Sequence, residues 1–166
     1  MAVCEVVDRV RVALNRDLLR GTGLTLAENL VLCQVAMAPG RRLRMVEIAG
    51  LLTIGKSAVT KTVDRLELRG LITRQRDPAD RRTVYATLTA EGATAFAVAQ
   101  PAFVDGVQRH FASQMSEAEV RQLLLLSGRV LRRDAPMVAG RRAGEPGRAT
   151  RPASADVSSG GYGGSG

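Results

Sequence analysis

The 166-residue sequence predicts a mostly α-helical fold with one small β-hairpin wing: a winged helix-turn-helix flanked by N- and C-terminal dimerisation helices. Three observations predict it. Met45 to Leu52 and Lys56 to Arg69 each carry apolar residues at helical spacing, Ile48, Ala49 and Leu52 in the first and Val59, Val63 and Leu66 in the second, with a tight turn between them. Two short strand candidates, Leu71 to Arg76 and Thr83 to Leu88, follow around the charged tip DPADRR. The formal net charge of +8 is concentrated on the same stretch, because residues 41–82 hold eleven basic and five acidic side chains.

In chain order, Val3, Val6, Val7, Val10, Leu14 and Leu18 follow the three-four spacing of an amphipathic helix ending near Gly21-Thr22-Gly23. Thr25 and Glu28 form the pattern of a capping box, opening a second helix through about Met37, and Pro39-Gly40 ends it. The helix-turn-helix comes next, with Gly70 where a residue just past a helix end belongs. After the hairpin, Thr89 caps a helix from Ala90 whose apolar side is Phe96, Phe103, Val107 and Phe111. Pro101 predicts a kink or break in that helix. Ser116 and Glu119 form a second capping box, with Met115 and Val120 as its hydrophobic staple, opening a last helix to about Arg133.

Residues 1–134 thus read as one domain, with a DNA-binding core at about 25–89. Residues 135–166 are rich in Gly, Ala, Ser, Pro and Arg and read as a disordered tail. The first helix and the last two have apolar faces wider than one small core can cover. They predict a symmetric homodimer, the alternative being a monomer that folds them onto itself.

Composition narrows the function classes. Apolar residues make up 45% and aromatic residues 3%, so the core is aliphatic, and RNA recognition by base stacking has no aromatic platform near the basic stretch. No apolar run is long enough to span a bilayer, and the N-terminus does not read as a signal peptide. The two cysteines, Cys4 and Cys33, make no disulfide framework and no metal-ligand cluster. The expectation is a cytoplasmic protein without cofactor or metal.

The basic stretch suits a surface that replaces counterions along DNA phosphates. On the second helix of the pair, Lys56, Ser57, Thr60, Lys61 and Asp64/Arg65 lie opposite Val59, Val63 and Leu66. Ser57, Thr60 and Lys61 are candidates for base edges in the major groove, and Arg65, a turn later, for phosphate. At the hairpin tip, Asp77-Pro78 starts a turn and Asp80-Arg81-Arg82 returns into a strand. An arginine there can enter the narrow minor groove, with Asp80 holding Arg82 by a charge-assisted hydrogen bond. A solvated basic face and a surface ion pair of little energy are the plainer alternatives.

The stretch RMVEIAGLLTIGKSAVTKTVDRLELRGLITRQRDPADRRTVYATLTAEG resembles the core of a MarR-family transcriptional regulator. Asp80-x-Arg82 and Leu88-Thr89 match that family's wing and helix entrance. Val59-Thr60 through Leu66 and Gly70-Leu71 match its recognition helix and exit, and Leu24-Thr25 matches the start of its second helix. The resemblance covers residues 1–134 in element order and is strongest over 44–92. It implies a homodimer on a pseudo-palindromic double-stranded operator, usually a repressor, often released by a phenolic or other lipophilic effector. The sequence departs from the family pattern at Thr53, where a turn glycine is common, at Gly55, where a Ser or Thr cap is common, and at Pro101.

Three features point elsewhere. Gly50 to Ser57 literally matches the GxxxxGK[ST] phosphate loop of nucleotide-hydrolysing enzymes. Its lead-in reads as helix rather than strand, and Leu51, Leu52 and Ile54 are bulky where small residues are needed. Cys4 raises a redox-responsive regulator of the same fold. Peroxide-sensing relatives assist such a cysteine with tyrosines, but here the tyrosines are Tyr85 and Tyr162, so a buried or inert thiol is expected. His110, the single histidine, has no ligand or catalytic partner readable in the sequence. No nucleophile and base can be assembled, so the chain is not expected to be an enzyme. A dimeric adaptor with an idle winged helix is a third class, disfavoured by the intact basic face.

Overall fold

The computed structural model describes residues 1–134, and the expectation of a disordered tail lies outside the described residues. Helices α1 (Ala2–Thr22) and α2 (Leu26–Ala36) lead into a short 3-10 turn and strand β1 (Arg42–Arg44). Helices α3 (Met45–Leu52) and α4 (Lys56–Leu68) form the helix-turn-helix, and β2 (Ile72–Arg76) and β3 (Val84–Leu88) form the hairpin. Helices α5 (Ala90–His110) and α6 (Glu117–Asp134) follow, separated by a second 3-10 turn. Met1–Leu125 form one compact unit, and the turns of α6 from Leu126 onward belong to another.

Local chemistry explains most boundaries. α1 ends at Gly23, which takes the left-handed conformation at φ 69° that a side chain would resist, and its N–H closes on the Leu19 carbonyl. The predicted capping box is present at both ends: Thr25 Oγ1 accepts from the Glu28 N–H, and Glu28 Oε2 accepts from the Thr25 N–H at 2.8 Å. Thr89 caps α5 by accepting from the Gly92 N–H. Ser116 and Glu119 exchange the same pair of bonds at the start of α6.

The core is aliphatic, as composition requires. Leu18, Leu32, Val31, Val35, Ile48, Val63, Leu66 and Ile72 are fully buried. α2 is apolar nearly all round and contributes four of its hydrophobic side chains, Leu26, Val31, Leu32 and Val35, to the interior. α5 packs along α1, with Ala99 buried and Phe96, Phe103 and Val107 against the core.

The structure extends one expectation and limits another. The hairpin is part of a three-stranded antiparallel sheet in the order β1-β3-β2, because Leu43 of β1 pairs with Ala86 and both are buried. Pro101 does not break its helix, since α5 runs continuously from Ala90 to His110. One proline removes one N–H from the ladder. Packing of Ala95, Phe96 and Ala99 before it, and of Ala102, Phe103 and Val107 after it, against the core holds the turns on both sides.

The single histidine also has a partner that the sequence hides. His110 Nε2 lies 2.7 Å from Asp17 Oδ2, and the Arg109 guanidinium donates to the same oxygen at 2.9 Å. The His110 hydrogen bond first, and the nearby arginines after it, hold the Asp17 carboxyl below its ordinary value of 3.8. A carboxyl lowered by folding stabilises the fold above its ordinary value, and that contribution disappears as pH falls through the lowered one. Asp17→Asn should therefore reduce stability at neutral pH, with the gap to wild type closing well below pH 3.8. Denaturant unfolding of both proteins across that range checks it, and a gap that widens in acid would contradict it.

Candidate nucleic-acid interface

α3 and α4 meet at Thr53-Ile54-Gly55. Thr53 adopts the left-handed conformation at φ 52° and ψ 41°, which a β-branched residue takes only under constraint. The Ile54 N–H reaches back to the Ala49 carbonyl, closing the turn. Gly55 caps α4 without a side chain. Because Met45–Leu52 is a helix, the GxxxxGK[ST] stretch lacks the strand that a phosphate loop follows.

α4 divides as its spacing predicts. Val59, Thr62, Val63 and Leu66 are buried, while Lys56, Ser57, Thr60, Lys61 and Arg65 are exposed. Thr60 donates its hydroxyl to the Lys56 carbonyl at 3.0 Å, so its outward lone pairs face solvent as acceptors. The far end of α4 is tied to the α1–α2 junction. Glu28, buried and already in its capping box, has Arg65 and Arg69 each at 3.6 Å, and Arg69 also donates to the Gly23 carbonyl. Arg65, the candidate for phosphate, is thus held at its base by Glu28 while remaining 56% exposed.

The hairpin tip places Asp80, Arg81 and Arg82 at the surface between β2 and β3. Asp77 Oδ1 accepts from the Ala79 N–H at 2.8 Å, an Asx turn that Pro78 favours. Asp80 does not hold the Arg82 guanidinium, as the sequence suggested. Its carboxylate accepts from the Thr83 hydroxyl at 2.8 Å and from the Arg82 backbone N–H at 3.0 Å. A carboxylate two residues before an N–H closes this local turn more readily than it follows a long, mobile side chain. These bonds, Thr83 first, hold the Asp80 carboxyl below its ordinary value. Among the described residues, neither Arg81 nor Arg82 has an ion-pair partner.

Sequence reasoning missed Arg74. On β2 it shares the inward face of the sheet with Ile72 and Ala86, a place where a guanidinium needs partners. It forms ion pairs with Asp64 at 2.7 Å and Glu67 at 2.5 Å on α4. The period-two step from Ile72 to Arg74 was the available signal. On the opposite face of the sheet, the Arg42 guanidinium lies over the Tyr85 ring at 4.8 Å.

The two cysteines differ. Cys4 is exposed on the first turn of α1, so of the expected alternatives, buried or inert, it is not the buried one. Cys33 is half-buried on α2, and burial pushes its thiol up, away from the reactive thiolate. No helix among the described residues is long and apolar enough to cross a membrane.

With this geometry in view, comparisons with known proteins agree. The MarR family model matches residues 24–84, from just before α2 to the first residue of β3. The transcriptional regulator HosA of Escherichia coli O111:H- is 34% identical over 97 residues, covering 58% of this chain and 69% of its own. Among solved structures, Sco3205 of Streptomyces coelicolor, a MarR family transcriptional regulator in complex with DNA, superposes with a TM-score of 0.75 at 29% identity, over 82% of this chain and 85% of its own. CouR of Rhodococcus jostii RHA1, bound to p-coumaroyl-CoA, superposes with a TM-score of 0.66 at 27% identity, over 78% of this chain and 88% of its own. From its capped helix-turn-helix, its hairpin wing and these likenesses together, the chain belongs to the MarR family of transcriptional regulators.

Proposed function

We propose that the protein regulates transcription in the cytoplasm by binding a pseudo-palindromic double-stranded DNA operator as a homodimer, acting as a ligand-responsive repressor. It is a regulator and not an enzyme. The observation that carries the DNA reading is the outward face of α4 together with a wing tip whose Arg81 and Arg82 lack ion-pair partners among the described residues. In this reading Ser57, Thr60 and Lys61 meet base edges in the major groove. Lys56 and Arg65 meet phosphates, and Arg82 lies in the minor groove beside Arg81, with Asp80 shaping the turn. The DNA complex of Sco3205 supports the same use of the fold.

Exposed apolar residues on α1, Val3, Val6, Val7 and Val12, and on α6, Leu124, Leu125, Leu126, Val130 and Leu131, support a second copy of the chain as partner. The p-coumaroyl-CoA complex of CouR supports a phenolic or otherwise lipophilic effector. Residues 1–134 would form the regulatory domain, with the DNA-binding core at about 25–89.

The test begins with selection of bound duplexes, followed by titration of wild type and variants at fixed salt. Arg82→Ala should cost about 1–3 kcal/mol of affinity, the scale of one good specific contact, and relax preference in A·T-rich flanks. Asp80→Ala should cost less, since it loosens the turn and keeps the guanidinium. Lys61→Ala should change the half-site preference instead. An Arg82→Ala protein that binds every duplex like wild type would remove the wing from the interface, and a wild type that selects no duplex would overturn the whole reading.

A further inference from the structure

The outward side of α4 carries two acidic residues, Asp64 and Glu67, within two turns of Thr60 and Lys61. On a helix facing phosphates, an uncompensated carboxylate repels the backbone it must approach. Both carboxylates are engaged by one residue. Arg74 reaches across from β2, pairs with Asp64 Oδ1 through one guanidinium nitrogen and donates to Glu67 Oε2 through another. The nitrogen that bonds Asp64 also donates to the Thr60 carbonyl at 3.3 Å. The Arg74 backbone N–H donates to Glu67 Oε1 at 3.0 Å, so Glu67 is gripped from side chain and main chain together. The Arg74 side chain is only 24% exposed, whereas that of Asp64 is 50% exposed. A planar fork with five donors suits this bridging, and an ammonium does not.

We propose that Arg74 is a positioning residue. It offsets one of the two negative charges of Asp64 and Glu67 on the recognition helix and fixes the wing strand against that helix, without itself touching DNA. The proposal rests on the DNA-binding reading above. Without the Arg74 side chain the local charge becomes that of two carboxylates, and β2 keeps only its main-chain N–H to Glu67 as a polar tie to α4. Without the carboxylates, Arg74 is freed as an extra cation beside the groove.

Three variants separate these roles on the duplex selected by wild type, each checked for folding by thermal unfolding. Arg74→Met should weaken binding about tenfold, the effect of uncompensated charge several ångströms from phosphate. Asp64→Asn with Glu67→Gln should do the opposite, strengthening binding and steepening the salt dependence by about 0.9 in log-log slope, as one more phosphate contact would. The triple variant should return to within about threefold of wild type, because a neutral helix flank no longer needs the guanidinium. A triple variant as weak as Arg74→Met would mean that Arg74 contacts DNA directly, and the proposal fails. Wild-type affinity in Arg74→Met, or an unchanged slope in the double variant, overturns it as well. Should Arg74→Met not fold, the double variant still decides. If wild type binds no duplex, the DNA-binding reading falls and this inference with it; if wild type binds and the variants misbehave, this inference alone falls.

Discussion

Gly92→Ala is expected to destabilise the protein by about 3 kcal/mol, the upper end of what overpacking usually costs. A Cβ at this position would stand 1.9 Å from the Leu71 carbonyl oxygen and 2.9 Å from its carbon, and both are backbone atoms. Neither can swing aside like the tip of a side chain. The site is already fastened by hydrogen bonds: the Thr89 N–H donates to the Leu71 carbonyl, the Thr89 hydroxyl donates to the Gly70 carbonyl at 2.7 Å, and Thr89 Oγ1 accepts from the Gly92 N–H. The start of α5 is therefore pressed against the exit of α4, and a methyl group must separate them. Thermal unfolding should show a midpoint lowered by roughly 10 °C, taking about 3–4 °C per kcal/mol for a domain of this size. A variant melting with wild type would mean that the contact is looser than the geometry states.

The second large effect is Leu66→Ala, expected to cost about 2–5 kcal/mol. Leu66 is completely buried, on the inward face of α4 with Val59 and Val63. Truncation loses its transfer energy and leaves a cavity that a core this well filled closes only in part. Lys61→Ala, on the opposite face of the same helix, should stay within about 0.5 kcal/mol. Denaturant unfolding of the pair reads the two faces directly. A loss below about 1 kcal/mol for Leu66→Ala would show that the inner face is not packed as described.

These two residues show where sequence suffices and where it stops. Leu66 belongs to a run at helical spacing, so its burial was legible from its neighbours. The caps at Thr25, Thr89 and Ser116 were legible for the same reason, since donor and acceptor lie within four residues. Gly92 looked like an ordinary early helix residue, because what demands a glycine there is a backbone oxygen twenty-one positions away. β1 was too short, at three residues, to show an alternation. In the candidate site, the outward face of α4 followed from spacing, and so did the hairpin tip. The roles of Asp80 and Arg74 did not, because each depends on which donor the fold brings within reach. Of the kink or break expected at Pro101, the break overrated one missing hydrogen bond against the packing of α5 on α1.

That packing has a consequence in time. Asp17 meets Arg109 and His110, 92 and 93 residues further along the chain. Leu14 and Leu18 share the core with Ala99, and Phe103 and Val107 pack against that core. α1 is made well before α5, the helix that covers it. At about 5–20 residues per second, a ribosome leaves roughly 5–20 s between the two. During that interval Leu14 and Leu18 have no α5 to bury them, while α2 to β3 can already assemble through contacts nearer in sequence. The N-terminal helix is the segment of a nascent chain that a chaperone, or another nascent copy, would meet uncovered.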